Sequence, residues 1–356
     1  MRVSLSDEQE FLREAVAGVV AREASFAAVR EWTEAGDLSP ADLLARRQGW
    51  AGIGLGEEAG GQGGGALELM VLAEQLGRGA VPWDATLAGC LALPLLAAAG
   101  EGAAELAAAT AEGPGAALLV DGRRPLAAPE AELSDDLLTA AARHVPGAAG
   151  ATHLVVPIRA GESVELRTVD PADPAVDVTP LPLVDRTRSL AAVSLTGAPS
   201  TLLGTIPAAA LEATASLAAV VIAADALGAA ARLLEMTVEY VAERRQFGVA
   251  VGSFQAVKHA AAEMLVDVEA CRSAVRYAAW AVDDGAADAA IQAAIAKSHV
   301  AAASSRVADR ALFLHGAIGY TWEHDLQFLF KRVKSDALLF GGAGVHRDRI
   351  AAALLA

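Results

Sequence analysis

The stretch YVAERRQFGVAVGSFQAVKHAAAEM, residues 240–264, decides the fold. It reads as a helix that ends in two arginines, Arg244 and Arg245, turns through Gly248 and restarts after Phe254 and Gln255. A guanidinium at a turn offers a planar fork of donors that suits a pyrophosphate, and Gln255 offers a donor to a carbonyl or phosphate oxygen. The same arginines would equally complement a helix C-terminal dipole, with Gln255 left at the surface. A second stretch, LHGAIGYTWEHDLQFLFKR (314–332), has Gly316 and Gly319 where the backbone can approach a bulky ligand or simply turn between two helices.

Working outward, long apolar-periodic segments over 207–243, 252–284 and 286–314, with a last one from about 324, predict an antiparallel helix bundle. Upstream, residues 113–206 change texture. Short β-like runs (GAALLVD, THLVVPI, VELRTVD, VDVTPLP, LAAVSLTG) alternate with prolines at 171, 174, 180, 182 and 199, which predicts a small β domain. Residues 5–110 read as helices again, opened by a capping serine, Ser6, with acids in the first turn. The expected organisation is an N-terminal helical domain (1–112), a middle β domain (113–206) and a C-terminal four-helix bundle (207–356): mainly α with a middle β domain. The glycines at 60, 61, 63, 64 and 65 predict a turn. A phosphate loop would place Lys-Ser or Lys-Thr after the last glycine, whereas Ala66 and Leu67 follow here.

The bulk numbers fit this picture. The 356 residues are 54% hydrophobic and only 4% aromatic, an Ala- and Leu-rich composition that favours helix. A net charge of −16 excludes a uniform nucleic-acid-binding face but leaves room for a local basic pocket. Cys90 and Cys271 sit in apolar helical surroundings and read as small buried hydrophobes, compatible with a reducing cytoplasm. The opening MRVSLSDEQEFLREAV carries charge early and has no signal-type apolar core. The run SLAAVVIAADALGAAARLL (216–234) contains Asp225 and Arg232 and reads as a buried core helix, not a membrane span.

The segments SLSDEQEFLREAV, GWAGIGLGEEAGGQGGGALELMVLAEQLGRG, RRQFGVAVGSFQAVKH and HGAIGYTWEHD together resemble the acyl-CoA dehydrogenases, flavoproteins that oxidise the Cα–Cβ bond of acyl-CoA thioesters, over almost the full length. The resemblance implies the family fold: N-terminal helices, a β-barrel-like middle domain and a C-terminal four-helix bundle. It implies FAD, an acyl-CoA substrate, an oligomer of like or unlike acyl-CoA dehydrogenase chains, and an electron-transfer flavoprotein or similar acceptor. It further implies that Arg244 binds a flavin pyrophosphate, usually that of a neighbouring subunit, and that Phe247, Gln255 and Gly316 match other flavin-contacting positions. No metal is implied, and no catalytic residue is assigned.

The chain also departs from the family pattern. Phe313 stands where the family has Gln, and Ala317 replaces the second glycine of a Gly-Gly pair. Neither the Thr-Glu-Pro/Gly-Ser-Asp segment nor the Trp-Ile-Thr segment of the middle domain is found in GAALLVDGRRPLAAPEAELSDDLLTAAARHVPGAAGATHLVVPIRAG. Abstraction of the α-proton of a thioester needs a desolvated carboxylate. Counting from Glu323 to Arg347 puts Phe340, or with one gap Gly341, at the family's usual Glu in LLFGGAGVHR (338–347). The alternative family position, on the helix before Arg244, holds Ala218, with Glu212 six residues earlier as a rescue candidate; His346 is expected at the surface or an interface. These losses are similar to those of non-catalytic subunits of heterotetrameric acyl-CoA dehydrogenases, which often act on bulky acyl-CoAs such as steroid side chains. The Ala-rich composition is compatible with an actinobacterial source. Two further expectations stay open: a self-sufficient homotetramer with a displaced base, and a non-enzymatic acyl-CoA-binding or structural relic.

Overall fold

The computed structural model describes residues 4–57, 60–113 and 115–355. Met1–Val3 of the opening segment, Glu58 and Ala59 of the glycine-rich turn, and Pro114 lie outside the described residues. Six helices come first: α1 (Asp7–Glu23), α2 (Phe26–Ala35), α3 (Ser39–Arg47), α4 (Ala66–Arg78), α5 (Asp84–Ala99) and α6 (Ala104–Ala111). Ser6 caps α1, with Gln9 bonded back to its backbone, so the local signal read from the sequence is used as expected.

Among the described residues the middle region holds eight strands in two four-stranded sheets. One runs in the order β1 (Ala116–Leu118), β4 (His153–Ala160), β5 (Ser163–Val169), β8 (Thr201–Pro207). The other runs β2 (Ala131–Ser134), β3 (Leu137–Pro146), β7 (Leu190–Pro199), β6 (Val176–Pro180). All pairings are antiparallel except β1 with β4. Their inward residues, among them Leu138, Leu154, Val156, Val193 and Leu195, form a core of their own. Strand β3 was not among the expected runs. LLTAAARHVP is rich in alanine, which favours helix, yet its residues alternate between exposed and buried over most of its length, the period of a half-buried strand. Strand β8 was also missed, with Gly204 in its interior.

The bundle follows as α7 (Ala208–Glu243), a two-residue hairpin of β9 (Arg245–Gln246) and β10 (Val249–Ala250), then α8 (Gln255–Asp283), α9 (Ala289–His315), α10 (Leu326–Asp336) and α11 (Ala343–Leu355). The single last helix expected from about 324 is in fact two. The chain breaks after Asp336, because Phe340 and Gly341 both take positive φ, 54° and 101°. Helices α5–α6 and α7 contain stretches long and apolar enough to cross a membrane by length and composition, but 94% of that window in α7 is buried inside the protein. Helix α7 is the core helix that its sequence suggested. It crosses α4 at backbone contact: a Cβ on Gly77 would lie 2.1 Å from the Asp225 carbonyl oxygen, and one on Gly228 would lie 1.9 Å from that of Glu74. Only glycine permits this approach.

The three regions are fastened together by a buried ionic cluster. Arg188, on the segment between β6 and β7, bonds Asp84 of α5 at 2.6 Å, Asp225 of α7 at 2.8 Å and Asp336 of α10. Arg332 of α10 bonds Asp225 at 3.0 Å, Thr187 at 2.8 Å and the Val81 carbonyl at 2.7 Å, and Trp83 donates to Asp225 at 2.7 Å. Asp185 lies 3.7 Å from Arg332. Two guanidiniums thus face four carboxylates. Burial pushes Asp225 upward, but Arg332, Arg188 and the Trp83 hydrogen bond outweigh it and hold the carboxyl below its ordinary range. Burial dominates at Asp336, aided by the charge of Asp225, and lifts its carboxyl well above the ordinary range despite Arg188. Asp336 Oδ2 has no hydrogen-bond partner, which agrees with a retained proton.

Removing one partner of a buried ion pair costs roughly 3–5 kcal/mol, so Asp225→Asn is expected to lower the stability from urea unfolding by about that amount, whereas Asp336→Asn, which mimics the protonated acid, costs under about 1.5 kcal/mol. Asp336 keeps a proton that the unfolded chain releases above about pH 4. Its contribution is therefore complete below that pH and is lost as pH rises toward its folded pKa. Unfolding measured across the neutral range is expected to show stability falling with pH, and Asp336→Asn to flatten the slope by up to about 1.4 kcal/mol per pH unit.

Candidate functional site

Helix α7 stops where Arg244 leaves the helical region, at φ −63° and ψ 123°. The β9–β10 hairpin turns through Phe247 and Gly248, both at positive φ (53° and 81°), and the Val251 N–H closes it onto the Arg244 carbonyl at 2.8 Å. Two central residues at positive φ are the pattern of a type I′ turn, which favours Asn-Gly. A phenylalanine there carries strain of about 1 kcal/mol or more. The Phe247 ring is 93% exposed and meets Phe254 edge-on at 6.4 Å. Gln255 begins α8 and is exposed; Arg244 is exposed and forms no ion pair among the described residues.

The second stretch lies at the same end of the bundle. Tyr240, one turn before Arg244, stacks on His315 at 4.5 Å, and His315 meets His324 edge-on at 5.0 Å. His315 Nδ1 donates to the Ala311 carbonyl at 2.8 Å. Burial holds its pKa below the ordinary histidine value, so the ring is a neutral spacer between α7 and the turn beyond α9. Gly316, at φ 66°, is exposed and begins that turn. Phe313 and Tyr320 are 77% and 71% exposed. The structure therefore brings Arg244 and Gly316 onto one end of the bundle, with Phe247 on the hairpin that leaves it and Gln255 at the start of α8. The Tyr240–His315–His324 stack was missed in the sequence, although Tyr240 sits one turn from Arg244 and His315 adjoins Gly316.

The segment aligned with the family's usual Glu sits elsewhere, against the middle domain. Phe340 is 1% exposed. Its N–H donates to the Gly122 carbonyl at 2.6 Å, and its carbonyl accepts from His346 Nε2 at 2.9 Å. Lys297 donates to the carbonyls of Asp336 at 2.8 Å and Gly341 at 3.1 Å. Burial lowers the Lys297 pKa to about 8 and that of His346 to about 4. A Cβ on Gly341 would come within 2.9 Å of His346 Nε2 and 3.2 Å of Pro125. His346, expected at the surface or an interface, is instead fully buried within the chain and serves as a clamp on the Phe340 backbone. Ala218 is buried in the core, and Glu212 is exposed in the second turn of α7 with Arg159 at 3.9 Å.

Beside Phe340 a cleft of about 180 Å³ is lined by Gly122, Arg123, His144, Leu183, Leu338 and Leu339. Small-molecule sites span roughly 300–1,000 Å³, so this cleft does not fit a flavin ring together with a thioester. The hairpin end does fit the other half of a dinucleotide site. Its guanidinium is unpaired, an amide is exposed on the first turn of α8, and a glycine leaves open space around the backbone at Gly316.

Comparison with known proteins agrees with the architecture. The acyl-CoA dehydrogenase N-terminal domain profile matches residues 6–105, and the C-terminal domain profile matches 209–355. The acyl-CoA dehydrogenase IpdE2 of Mycolicibacterium smegmatis is 34% identical over 340 residues, covering 95% of this chain and 96% of that protein. FadE34 of Mycobacterium tuberculosis is 33% identical over 99% of this chain and 48% of its own length. Among solved structures, the ChsE4–ChsE5 complex from Mycobacterium tuberculosis is 26% identical with a TM-score of 0.87, covering 100% of this chain and 99% of that one. A variant of the Tcur3481–Tcur3483 steroid ACAD is 27% identical with a TM-score of 0.86, covering 99% of both chains. On full-length identity and fold alike, the chain belongs to the acyl-CoA dehydrogenase family.

Proposed function

We propose that this chain is a subunit of a FAD-dependent acyl-CoA dehydrogenase, that it lacks a catalytic Glu of its own, and that it completes the flavin site of a partner chain. The observation that carries the reading is Phe340. At the position aligned with the family's base, an apolar ring is buried, its backbone is clamped by Gly122 and His346, and no carboxylate stands at 340, 341 or 218. At the other end, Arg244, Phe247, Gln255 and Gly316 are exposed, as residues must be that serve a neighbour's cofactor. Two structural relatives are named as pairs of unlike chains, and one of them as a steroid ACAD. A bulky acyl-CoA is the corresponding substrate class, with an electron-transfer flavoprotein or similar acceptor downstream and the cytoplasm as location.

In this role Arg244 holds the pyrophosphate through charge-assisted hydrogen bonds, Gln255 donates to the same anion, and Gly316 lets the backbone close on it. The bare Phe247 and Phe313 rings exclude water from the contact. The α-proton leaves to a carboxylate of the partner. Bound there, FAD would supply the acceptor for the hydride of the β-carbon.

The test is an absorption spectrum of the chain purified alone and after co-expression with a Glu-bearing acyl-CoA dehydrogenase chain. The expected result is a colourless protein alone and a yellow complex bleached by acyl-CoA. A flavin-loaded homomer that acyl-CoA bleaches would overturn the proposal. Within the complex, Arg244→Ala removes a hydrogen bond to charge worth about 1.5–3 kcal/mol and is expected to weaken FAD retention about 10- to 100-fold, read by dialysis and flavin absorbance. Phe340→Glu would bury a carboxylate without a partner. It is expected to lower the urea midpoint and to confer no turnover on the isolated chain.

A further inference from the structure

We propose that the cavity between α1, α4 and α8 binds a small organic anion carrying a flat ring, with Arg276 taking the anion and Tyr277 and Trp280 the ring. The cavity measures about 590 Å³, within the range of small-molecule sites. Neither the flavin positions nor the Phe340 cleft contribute to it. Arg276 lies 21 residues along α8 from Gln255, about 32 Å at the helical rise, so the cavity sits at the opposite end of that helix.

Its walls are fixed by hydrogen bonds, which makes the site preformed. Asp283, the last residue of α8, accepts from the Ala66 and Leu67 N–H groups at 2.5 and 2.9 Å and so caps α4. Gln9 of α1 donates to Glu68 of α4 at 2.9 Å. Arg272 is held by Glu74 and by Glu269 at 3.4 Å, so its charge is already matched.

Arg276 differs. Among the described residues it forms no ion pair, and its Nε is buried without a hydrogen-bond partner. In a chain with 44 acidic and 28 basic residues, a half-buried guanidinium without a carboxylate is a donor set left for something else. Carboxylates and phosphates match its planar fork. The next turn supplies the ring contact: Tyr277 and Trp280 lie 5.5 Å apart at 31° and present an aromatic wall to the same cavity. Leu5 and Leu67 close the apolar side.

Calorimetric titration of the full-length protein with naphthoate, and with neutral naphthamide of the same shape, tests the assignment. Naphthoate is expected to bind at one site, at least about tenfold more tightly than naphthamide. Arg276→Gln is expected to remove that preference, and Trp280→Ala to weaken both ligands. Arg244→Ala, at the far end of the bundle, leaves binding unchanged, which separates this site from the flavin reading. Absence of saturable naphthoate binding, equal affinity for acid and amide in the wild-type protein, or an undiminished preference in Arg276→Gln would overturn the proposal.

Discussion

The fold depends on two arginines that never reach water. Arg188 and Arg332 gather Asp84, Asp225 and Asp336 at the meeting point of the N-terminal helices, the middle sheets and the bundle. Taking such charges out of water costs several kcal/mol per ion, and the geometry must return it through attraction and hydrogen bonds. The cluster is consequently intolerant of displacement. If α10 slid by one residue, Arg332 would leave Asp225, Thr187 and the Val81 carbonyl, and Arg188 would lose Asp336. This fixes α10 on α7, and with it the direction in which the chain emerges at Phe340.

The Arg244 end of the bundle and the Phe340 segment differ sharply in exposure. The bundle end carrying Arg244 and Gly316 is open, with aromatic rings bare and a guanidinium unpaired. The region by Phe340 is closed: Lys297 and His346 hold three backbone carbonyls, and the remaining cleft is small. One end of the bundle lies open, while the backbone at Phe340 is held closed. The cavity under α1 is a third environment, tied to neither by any shared residue.

Much of this was legible in sequence, because some features are local. The long helices α7, α8 and α9 declare themselves through apolar periodicity, Ser6 through its place before a helix with acids in the first turn, and the α7–α8 hairpin through its arginines and Gly248. The ionic cluster was invisible, because its members run from residue 84 to residue 336 and nothing in their spacing marks them as neighbours. Asp225 was noticed only as a charge inside an apolar helix, the trace that a buried partner leaves in sequence. Strand β3 hid behind its alanines, since propensity favoured helix while burial by the opposite sheet imposed strand. His346 was misplaced because a histidine next to arginine and aspartate looks solvated, whereas its hydrogen bond to the Phe340 carbonyl draws it inside. The break after Asp336 was likewise missed: a positive φ at Phe340 cannot be anticipated from a residue that rarely adopts it.

The bare rings at the α7–α8 end have a cost in solubility. Phe247, Phe313 and Tyr320, which are 93%, 77% and 71% exposed, give the chain an apolar surface of the kind that promotes association. Three such rings on one end make the solubility of the chain depend on what covers that end, independently of the stability of its core.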